Sequence, residues 1–294
     1  MYLFDLHCDT LSRCIKKSEP IAFADGHISL ERGSRFERWG QVFAVFVPDN
    51  LRGEAAADHA DGAMEFYRCQ KRLIKQVCRP VLAVENGNSL AGDLRRLDLF
   101  AERGVRLFAL TWNGANELGH GAYCDPALGL TDFGKAAVKR MFKLGMIPDV
   151  SHLNEAGFRD VAELAEAHKK PFWATHSNCA AVRPHPRNLE DDQLKAIFES
   201  GGLVGVNLFI DFLGGSGTAY DVGLHLEHMI ALGGEDHVAL GSDFDGCDIH
   251  PSLAGVEKLE NLDSDLERFG FSDAQRKKFF WTNASKALAN PPRI

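Results

Sequence analysis

The sequence predicts one (β/α)8 barrel that spans residues 1–294 as a single domain. Three observations predict this fold: the length of 294 residues is close to that of one barrel domain, the composition shows no break along the chain, and eight short apolar segments alternate with helical stretches. The apolar segments are continuous, as expected of parallel strands that are buried on both faces. They cover residues 2–6, 41–47, 80–84, 105–110, 146–150, 171–175, 202–208 and 237–240.

The stretches between these segments have the periodicity of amphipathic helices. Several of them end in glycine just before the next strand, as at Gly104, Gly145 and Gly201, which suits a helix C-cap. A closing helical segment is predicted over residues 263–289, followed by Pro291 and Pro292. The other predicted helices cover residues 55–76, 90–103, 132–144, 154–168 and 191–200.

A doubly wound parallel sheet is the alternative fold. It would lead us to expect a glycine-rich phosphate loop after an early strand. His7-Cys8-Asp9 stands at that position instead. The barrel is therefore the better prediction.

Composition restricts the kinds of partner. The formal net charge is −8 and no run of five or more basic residues occurs, which argues against a nucleic-acid partner. No apolar run reaches the roughly 18 residues of a membrane span, and no signal-peptide pattern precedes the first strand. The seven cysteines are scattered without a C-x-x-C pair, so we expect reduced thiols in a cytoplasmic protein and no disulfide framework.

Polar residues follow the predicted strands at the end of the barrel where chemistry collects. These residues are His7 and Asp9 after the first strand, Glu85 after the third, His152 after the fifth, His176 after the sixth and Asp243 after the eighth. Taken singly, they have simple structural explanations: His152 could cap a helix, His176 could be a core histidine, and Glu85 could start a turn. Their occurrence together at one face of the barrel favours a shared function.

Imidazoles and carboxylates in this arrangement predict a hydrolytic site with two divalent metal ions, ~3.5–4 Å apart and sharing a hydroxide. Glu85 is the expected bridge, because it lies between the two ligand groups in barrel order. His7 and Asp9 would hold one ion, and His152 and His176 the other. Nitrogen and oxygen ligands without cysteine favour two Zn²⁺ ions, with Mn²⁺ or Co²⁺ as alternatives.

Asp243 is left over from this ligand set. It follows the last strand, next to the first once the barrel closes, and it suits a general acid and base that exchanges a proton with water and leaving group. Cys8 alternates away from His7 and Asp9, so we expect it to pack in apolar surroundings and not to bind metal.

With these residues identified, the sequence resembles the membrane (renal) dipeptidase family of zinc peptidases and its bacterial relatives. The matching segments appear in family order over nearly the whole chain: DLHCDT, AVENGNSL, ALTWNGANELGHG, GLTDFGKAAVKRMFKLGMIPDVSH, THSNCAAVRPHPRNLEDDQL and ALGSDFDG. The resemblance implies a binuclear zinc barrel that cleaves dipeptides, tolerates D-residues on the C-terminal side and forms a homodimer.

The resemblance also implies roles for individual residues. It gives metal ligation to the same five residues, the catalytic role to Asp243, and the pairing with the substrate's free carboxylate to Arg187. A guanidinium is well suited to that task, because it binds a carboxylate through two parallel hydrogen bonds. Arg183, in the same loop, is the competing candidate.

One departure from the family pattern concerns the substrate. The renal branch has a histidine that contacts the scissile carbonyl oxygen, and this chain has Trp112 there. Trp112 can shape a pocket, but its only polar group is one indole N–H. His120 could replace the missing contact only if its loop folds inward.

The sequence thus predicts a metallo-dipeptidase in which a metal-bound hydroxide attacks the peptide bond. An amidohydrolase that acts on N-acyl-D-amino acids or another small amide would use the same chemistry. A non-catalytic metal-binding protein is the third alternative; it is disfavoured because all five ligands and Asp243 are present.

Overall fold

The computed structural model describes residues 1–289. Its strands form one parallel sheet in the order β5-β4-β3-β2-β1-β7-β6. Helices run between successive strands, as parallel connections require. The strands are β1 (Tyr2–Asp5), β2 (Arg38–Phe46), β3 (Arg79–Glu85), β4 (Val105–Ala109), β5 (Ile147–Asp149), β6 (Val204–Val206) and β7 (Val238–Leu240).

The predicted sixth strand is not a regular strand. Residues 171–175 instead make single parallel bridges on each side, from Trp173 to Asp149 in β5 and from Ala174 to Val204 in β6. Pro171 has no N–H to donate, and the chain turns at Thr175, so the segment is too short for a ladder. These bridges nevertheless close the curled sheet between β5 and β6, so the barrel prediction is confirmed.

β1 lies between β2 and β7 and joins the two ends of the chain. Asp5 at its end is fully buried, and its carboxylate accepts hydrogen bonds from the backbone N–H of Ser242 at 2.8 Å and from the Ser242 hydroxyl at 2.7 Å. Gln41 in β2 donates to the same carboxylate at 2.7 Å. Strands more than 230 positions apart in the sequence are thus held together beneath the carboxyl end of the barrel.

The helices surround the sheet. The predicted helix over 132–144 agrees fully with the structure, where Thr131 caps its first turn and Gly145 ends it in a left-handed conformation. The helices are α1 (Thr10–Lys17), α2 (Leu30–Gly33), α3 (Gly53–Val77), α4 (Arg95–Glu102), α5 (Asp132–Leu144), α6 (Glu155–His168), α7 (Asp191–Glu199), α8 (Ile210–Leu213), α9 (Ala219–Ala231), α10 (Leu259–Phe269), α11 (Asp273–Lys277) and α12 (Asn283–Ala287).

Two hydrophobic clusters make up the core. The larger packs the helices against the sheet and contains Cys8, as expected from its alternation. The smaller is built mainly from strand residues such as Phe4, Leu107 and Trp173 and fills the barrel. Trp281 in the C-terminal segment packs on Phe4 with ring centroids 5.8 Å apart, so this segment covers the amino end of the barrel.

The predicted closing helical segment is divided into α10, α11, a π turn at Lys278–Thr282 and α12. Pro291 and Pro292 lie outside the described residues. Among residues 1–289, no helix combines the length and apolar character that a membrane crossing requires.

Candidate active site

The segment after β1 is fixed on both sides. Cys8 donates its N–H to the carbonyl of Val42 at 3.1 Å and accepts from Ala44 at 3.0 Å. Asp9 donates its N–H to the carbonyl of Phe244 at 2.8 Å. With Cys8 turned into the core, His7 and Asp9 share the opposite side, and His7 Nε2 lies 3.5 Å from Asp9 Oδ2.

Glu85, the last residue of β3, lies at the centre of the predicted ligand set. Its Oε2 is 3.4 Å from Nε2 of His7, and its Oε1 is 2.9 Å from Nε2 of His152 and 3.9 Å from Nε2 of His176. The ligand atoms of His7, Asp9 and Glu85 lie within 4.8 Å of one another, and so do those of Glu85, His152 and His176. The structure therefore brings all five residues together, with one Glu85 oxygen directed to each group.

The donor atoms of this cluster fit divalent metal. His7 Nε2, Asp9 Oδ1 and Glu85 Oε2 are buried and find no hydrogen-bond partner within residues 1–289. Such atoms are costly to bury unless something pairs with them. Burial raises the pKa of Glu85 to about 7, and the nearby Asp9 carboxylate adds to the effect. A bound cation would pair with these buried atoms and would also stabilise the ionised form of Glu85. Imidazole and carboxylate groups together are a donor set that suits zinc.

Asn113 supports the cluster from the loop after β4. Its side-chain oxygen lies 3.0 Å from Nδ1 of His152, so the other ring nitrogen faces Glu85. A partner of this kind fixes the orientation of a metal-binding histidine. The sequence prediction did not give Asn113 a role, because only the folded loop brings it to His152.

Asp243 lies beside the cluster in a left-handed backbone conformation with φ of 60°. Its Oδ2 accepts a hydrogen bond from Nδ2 of Asn207 at 3.0 Å, a contact that the sequence did not predict. A Cβ atom on Gly246 would lie 2.5 Å from Asp243 Oδ1 and 2.3 Å from Asp9 Oδ2, so a side chain at this position would displace both carboxylates. Burial raises the pKa of Asp243, which suits a group that takes up and returns a proton.

Arg187 is buried beside the site. Its guanidinium lies over the ring of Phe212 at 5.2 Å and makes only long hydrogen bonds, to the Ser177 hydroxyl at 3.5 Å and the His176 carbonyl at 3.4 Å. Its Nε has no partner among the described residues. Burial lowers its pKa to about 10, which leaves it charged at neutral pH. Arg183, by contrast, is exposed and donates to the backbone carbonyl of Asp211 in α8.

A cavity of about 1130 Å³ opens from the cluster. Trp112 lines it, with its ring 5.1 Å from that of Phe46 and 6.4 Å from that of His152. His120 does not line this cavity: its Nδ1 lies 3.0 Å from the carbonyl of Gly129 in its own loop. His120 therefore does not replace the missing histidine in the lining of this cavity.

A parallel barrel with buried histidines and carboxylates at the carboxyl ends of its strands is typical of metal-dependent hydrolases. Comparison with known proteins gives the particular family. The chain belongs to the membrane dipeptidase family, peptidase family M19, whose model matches residues 1–290. It is accordingly a metal-binding hydrolase of the dipeptidase class.

Similar proteins agree with this assignment. An uncharacterized protein in the pqqA 5' region of Klebsiella pneumoniae is 38% identical over 78% of this chain and 86% of its own length. A metallopeptidase from Rhodobacter sphaeroides, crystallised with a phosphinate mimic of the dipeptide L-Ala-D-Ala, is 29% identical with a TM-score of 0.89 over 99% of each chain. The dipeptidase AC of family M19 is 30% identical with a TM-score of 0.90, over 100% of this chain and 99% of its own.

Proposed function

We propose that this protein is a binuclear zinc dipeptidase that cleaves the peptide bond of dipeptides and accepts a D-residue at the C-terminal position. The observation that carries the proposal is the position of Glu85, whose two oxygens belong to two separate groups of possible ligands. One ion would be held by His7, Asp9 and Glu85, and the other by Glu85, His152 and His176. Mn²⁺ and Co²⁺ would suit the same ligands.

Two divalent ions held by these residues would lower the pKa of a bound water and would polarise the carbonyl group of the substrate. Proton transfer and substrate binding are assigned to side chains of the protein. Asp243, held by Asn207, takes a proton from the water and returns it to the leaving amine. Arg187 pairs with the free carboxylate of the substrate, because its guanidinium is buried, charged and weakly bonded within the protein.

The accepted D-residue is a proposal supported by one relative. The Rhodobacter sphaeroides metallopeptidase was crystallised with a mimic of L-Ala-D-Ala, and its fold matches this chain over nearly its full length. The substrate is thus proposed to be a small dipeptide.

Three other properties stay predictions: a single catalytic domain over residues 1–294, a homodimer and a cytoplasmic location.

The cavity favours a second candidate within the same chemistry. A volume of about 1130 Å³ exceeds the usual range of roughly 300–1,000 Å³ for small-molecule sites. An N-acyl-D-amino acid would present the same amide and the same carboxylate, and its acyl group would fill more of this space.

Steady-state kinetics on L,L-dipeptides, L,D-dipeptides and N-acyl-D-amino acids separates these candidates. Each substrate is assayed with the protein as purified, after removal of metal by a chelator, and after zinc is restored. We expect kcat/KM to be highest for a dipeptide, lost on chelation and recovered with zinc. A higher kcat/KM on the acyl compounds would favour the amidohydrolase, and activity that survives metal removal would contradict the proposal.

A further inference from the structure

The hydroxyl of Thr175 lies between two histidines of the site and one buried aspartate. Thr175 Oγ1 is 2.8 Å from Nδ1 of His176 and 3.5 Å from Nδ1 of His7, and it donates to Oδ2 of Asp149. All four residues are buried. The two histidines belong to different ligand groups, His7 to the group with Asp9 and His176 to the group with His152.

The number of donors and acceptors on each group determines where the hydrogens of this cluster lie. A hydroxyl has one hydrogen to donate and two lone pairs to accept. Asp149 can only accept, so the hydrogen of Thr175 points to it. The Asp149 Oδ1 is already occupied by the N–H of Ser151 at 2.9 Å, the Ser151 hydroxyl at 2.5 Å and the N–H of Thr175 at 3.1 Å. This carboxylate is therefore fixed in place. The Ser151 hydroxyl also lies 3.4 Å from Thr175 Oγ1, but it gives its one hydrogen to Asp149 Oδ1, so both lone pairs of Thr175 remain for the two histidines.

We propose that Thr175, anchored by Asp149, is a positioning residue that holds His7 and His176 in the tautomer with hydrogen on Nδ1. Nε2 of each histidine then carries the lone pair on the side of the metal cluster, where His7 Nε2 lies 3.4 Å from Glu85 Oε2 and His176 Nε2 lies 3.9 Å from Glu85 Oε1. The inference rests on the proposed two-metal site and adds that one hydroxyl prepares a ligand for each ion. Loss of this hydroxyl should therefore weaken both metal positions together.

Alternatively, Asp149 and the two histidines could bind a third cation, with the histidines using their Nδ1 atoms. Their ligand atoms do lie within 4.8 Å of one another. The Thr175 oxygen is within hydrogen-bond distance of all three, however, and so fills the position that an ion would need. The geometry favours the hydroxyl as the shared partner.

The test compares Thr175→Val, which keeps the shape and removes the hydroxyl, with Thr175→Ser, which restores it. Thr111→Val is the matched control, since Thr111 is equally buried and its hydroxyl has no partner in the described residues. Zinc stoichiometry and affinity are measured by competition with a chelator. Partners of metal-binding histidines typically contribute about 10–100-fold in affinity. We expect a loss of this size at both positions in Thr175→Val, and values close to wild type in the serine variant and the control.

A second measurement uses only the wild-type protein, so it requires neither enzymatic activity nor a correctly folded variant. Nitrogen NMR of zinc-loaded wild-type protein with labelled histidine reports which ring nitrogen carries hydrogen. We expect hydrogen on Nδ1 of His7 and His176. Hydrogen on Nε2 of either residue, or wild-type affinity in Thr175→Val, would overturn the inference. Failure of the proposed function would look different: wild-type protein itself would bind fewer than two ions or hydrolyse no dipeptide, whatever residue 175 is.

Discussion

The Nε2 atoms of His152 and His176 lie 2.8 Å apart in the buried site. Burial lowers the pKa of both histidines well below the usual range, so both are neutral. Their Nδ1 atoms face Asn113 and Thr175, which leaves the two Nε2 lone pairs directed at each other. Two facing lone pairs repel unless a cation accepts both. This pair is therefore best explained as half of a metal site.

Replacing Glu85 with glutamine should reduce the metal content from about two ions per chain. The amide offers one oxygen where the carboxylate offers two, so it cannot serve both groups equally. Elemental analysis of protein purified without chelator measures the result. Glu54→Gln, at an exposed position on α3, is the control and should keep both ions. Full metal content in Glu85→Gln would show that Glu85 is not the bridge.

Asp243→Asn should keep both ions and the fold but lose most turnover, because an amide cannot accept the proton. General acid–base groups contribute ~10²–10⁴-fold to the rate, and kcat should fall by a factor in this range. Asp248→Asn changes an exposed carboxylate of the same loop and should leave kcat unchanged. A variant at Asp243 with bound zinc and wild-type kcat would exclude the proton-transfer role.

Arg187 should distinguish a dipeptide from its C-terminal amide. A charge-assisted pair in a buried site contributes ~2–4 kcal/mol, or roughly 30- to 1000-fold in kcat/KM. Arg187→Ala should lose this factor on the free acid and far less on the amide. Arg187→Lys should recover part of it, since lysine lacks the planar fork.

The exposed Arg183 provides the control for this experiment. Arg183→Ala should have a smaller effect on both substrates. If Arg187→Ala weakens the acid and the amide equally, Arg187 does not bind the substrate carboxylate, and the case for a dipeptide loses its main support.

Trp112 should limit the size of the substrate side chain that the cavity accepts beside His152. Trp112→Ala removes the ring that packs on Phe46 at the wall of the cavity. A hydrophobic pocket discriminates by about 10-fold or more for each methylene, so the preference among substrates with small and large side chains should shift by at least that factor. Kinetics on a graded series of dipeptides measures the shift. Phe23→Ala changes an exposed aromatic residue that does not line the cavity and should leave the series unchanged.

His225 should make stability depend on pH. Its Nδ1 accepts the N–H of Cys179 at 3.1 Å, its Nε2 lies 3.0 Å from the carbonyl of Leu213, and burial lowers its pKa from the usual 6.5. Below that value the unfolded chain binds a proton that the folded protein does not. The free energy of unfolding should therefore fall as the pH drops below 6.5, by at most about 1.4 kcal/mol per pH unit for this group.

Denaturant unfolding of wild type and His225→Asn between pH 5 and 8 isolates this contribution. The asparagine variant can keep one acceptor and one donor but does not titrate. Its pH dependence should be flatter than that of wild type by the amount due to His225. Parallel curves would mean that His225 does not contribute in this way.

The position of the metal cluster could be predicted because a parallel barrel determines where its strands end. Once β1 and β3 were identified, His7, Asp9 and Glu85 had to meet at one face. The helix α5 could be predicted to the residue, since Thr131 and Gly145 mark both of its ends. In these cases local sequence and global fold specify the same arrangement.

Other features depend on contacts that a sequence pattern does not contain. The helix α9 was not predicted, because it is apolar on more than one side and follows a glycine-rich loop. Asn113 and Thr175 gain their roles only from the way their loops bring them to histidines on other strands. His120 is the opposite case, since its Nδ1 contacts the Gly129 carbonyl within the same loop and the residue does not line the cavity.

The bond between Asp5 and Ser242 also has a consequence for biosynthesis. β1 leaves the ribosome before β7, which is one of its two neighbours in the sheet and follows after more than 230 further residues. At about 5–20 residues per second, this interval is on the order of 10–50 s. During that time β1 has an open edge, and the carboxylate of Asp5 lacks the serine that later satisfies it. The nascent chain therefore depends on rapid synthesis of β7, and slow translation of the codons that precede β7 should increase aggregation.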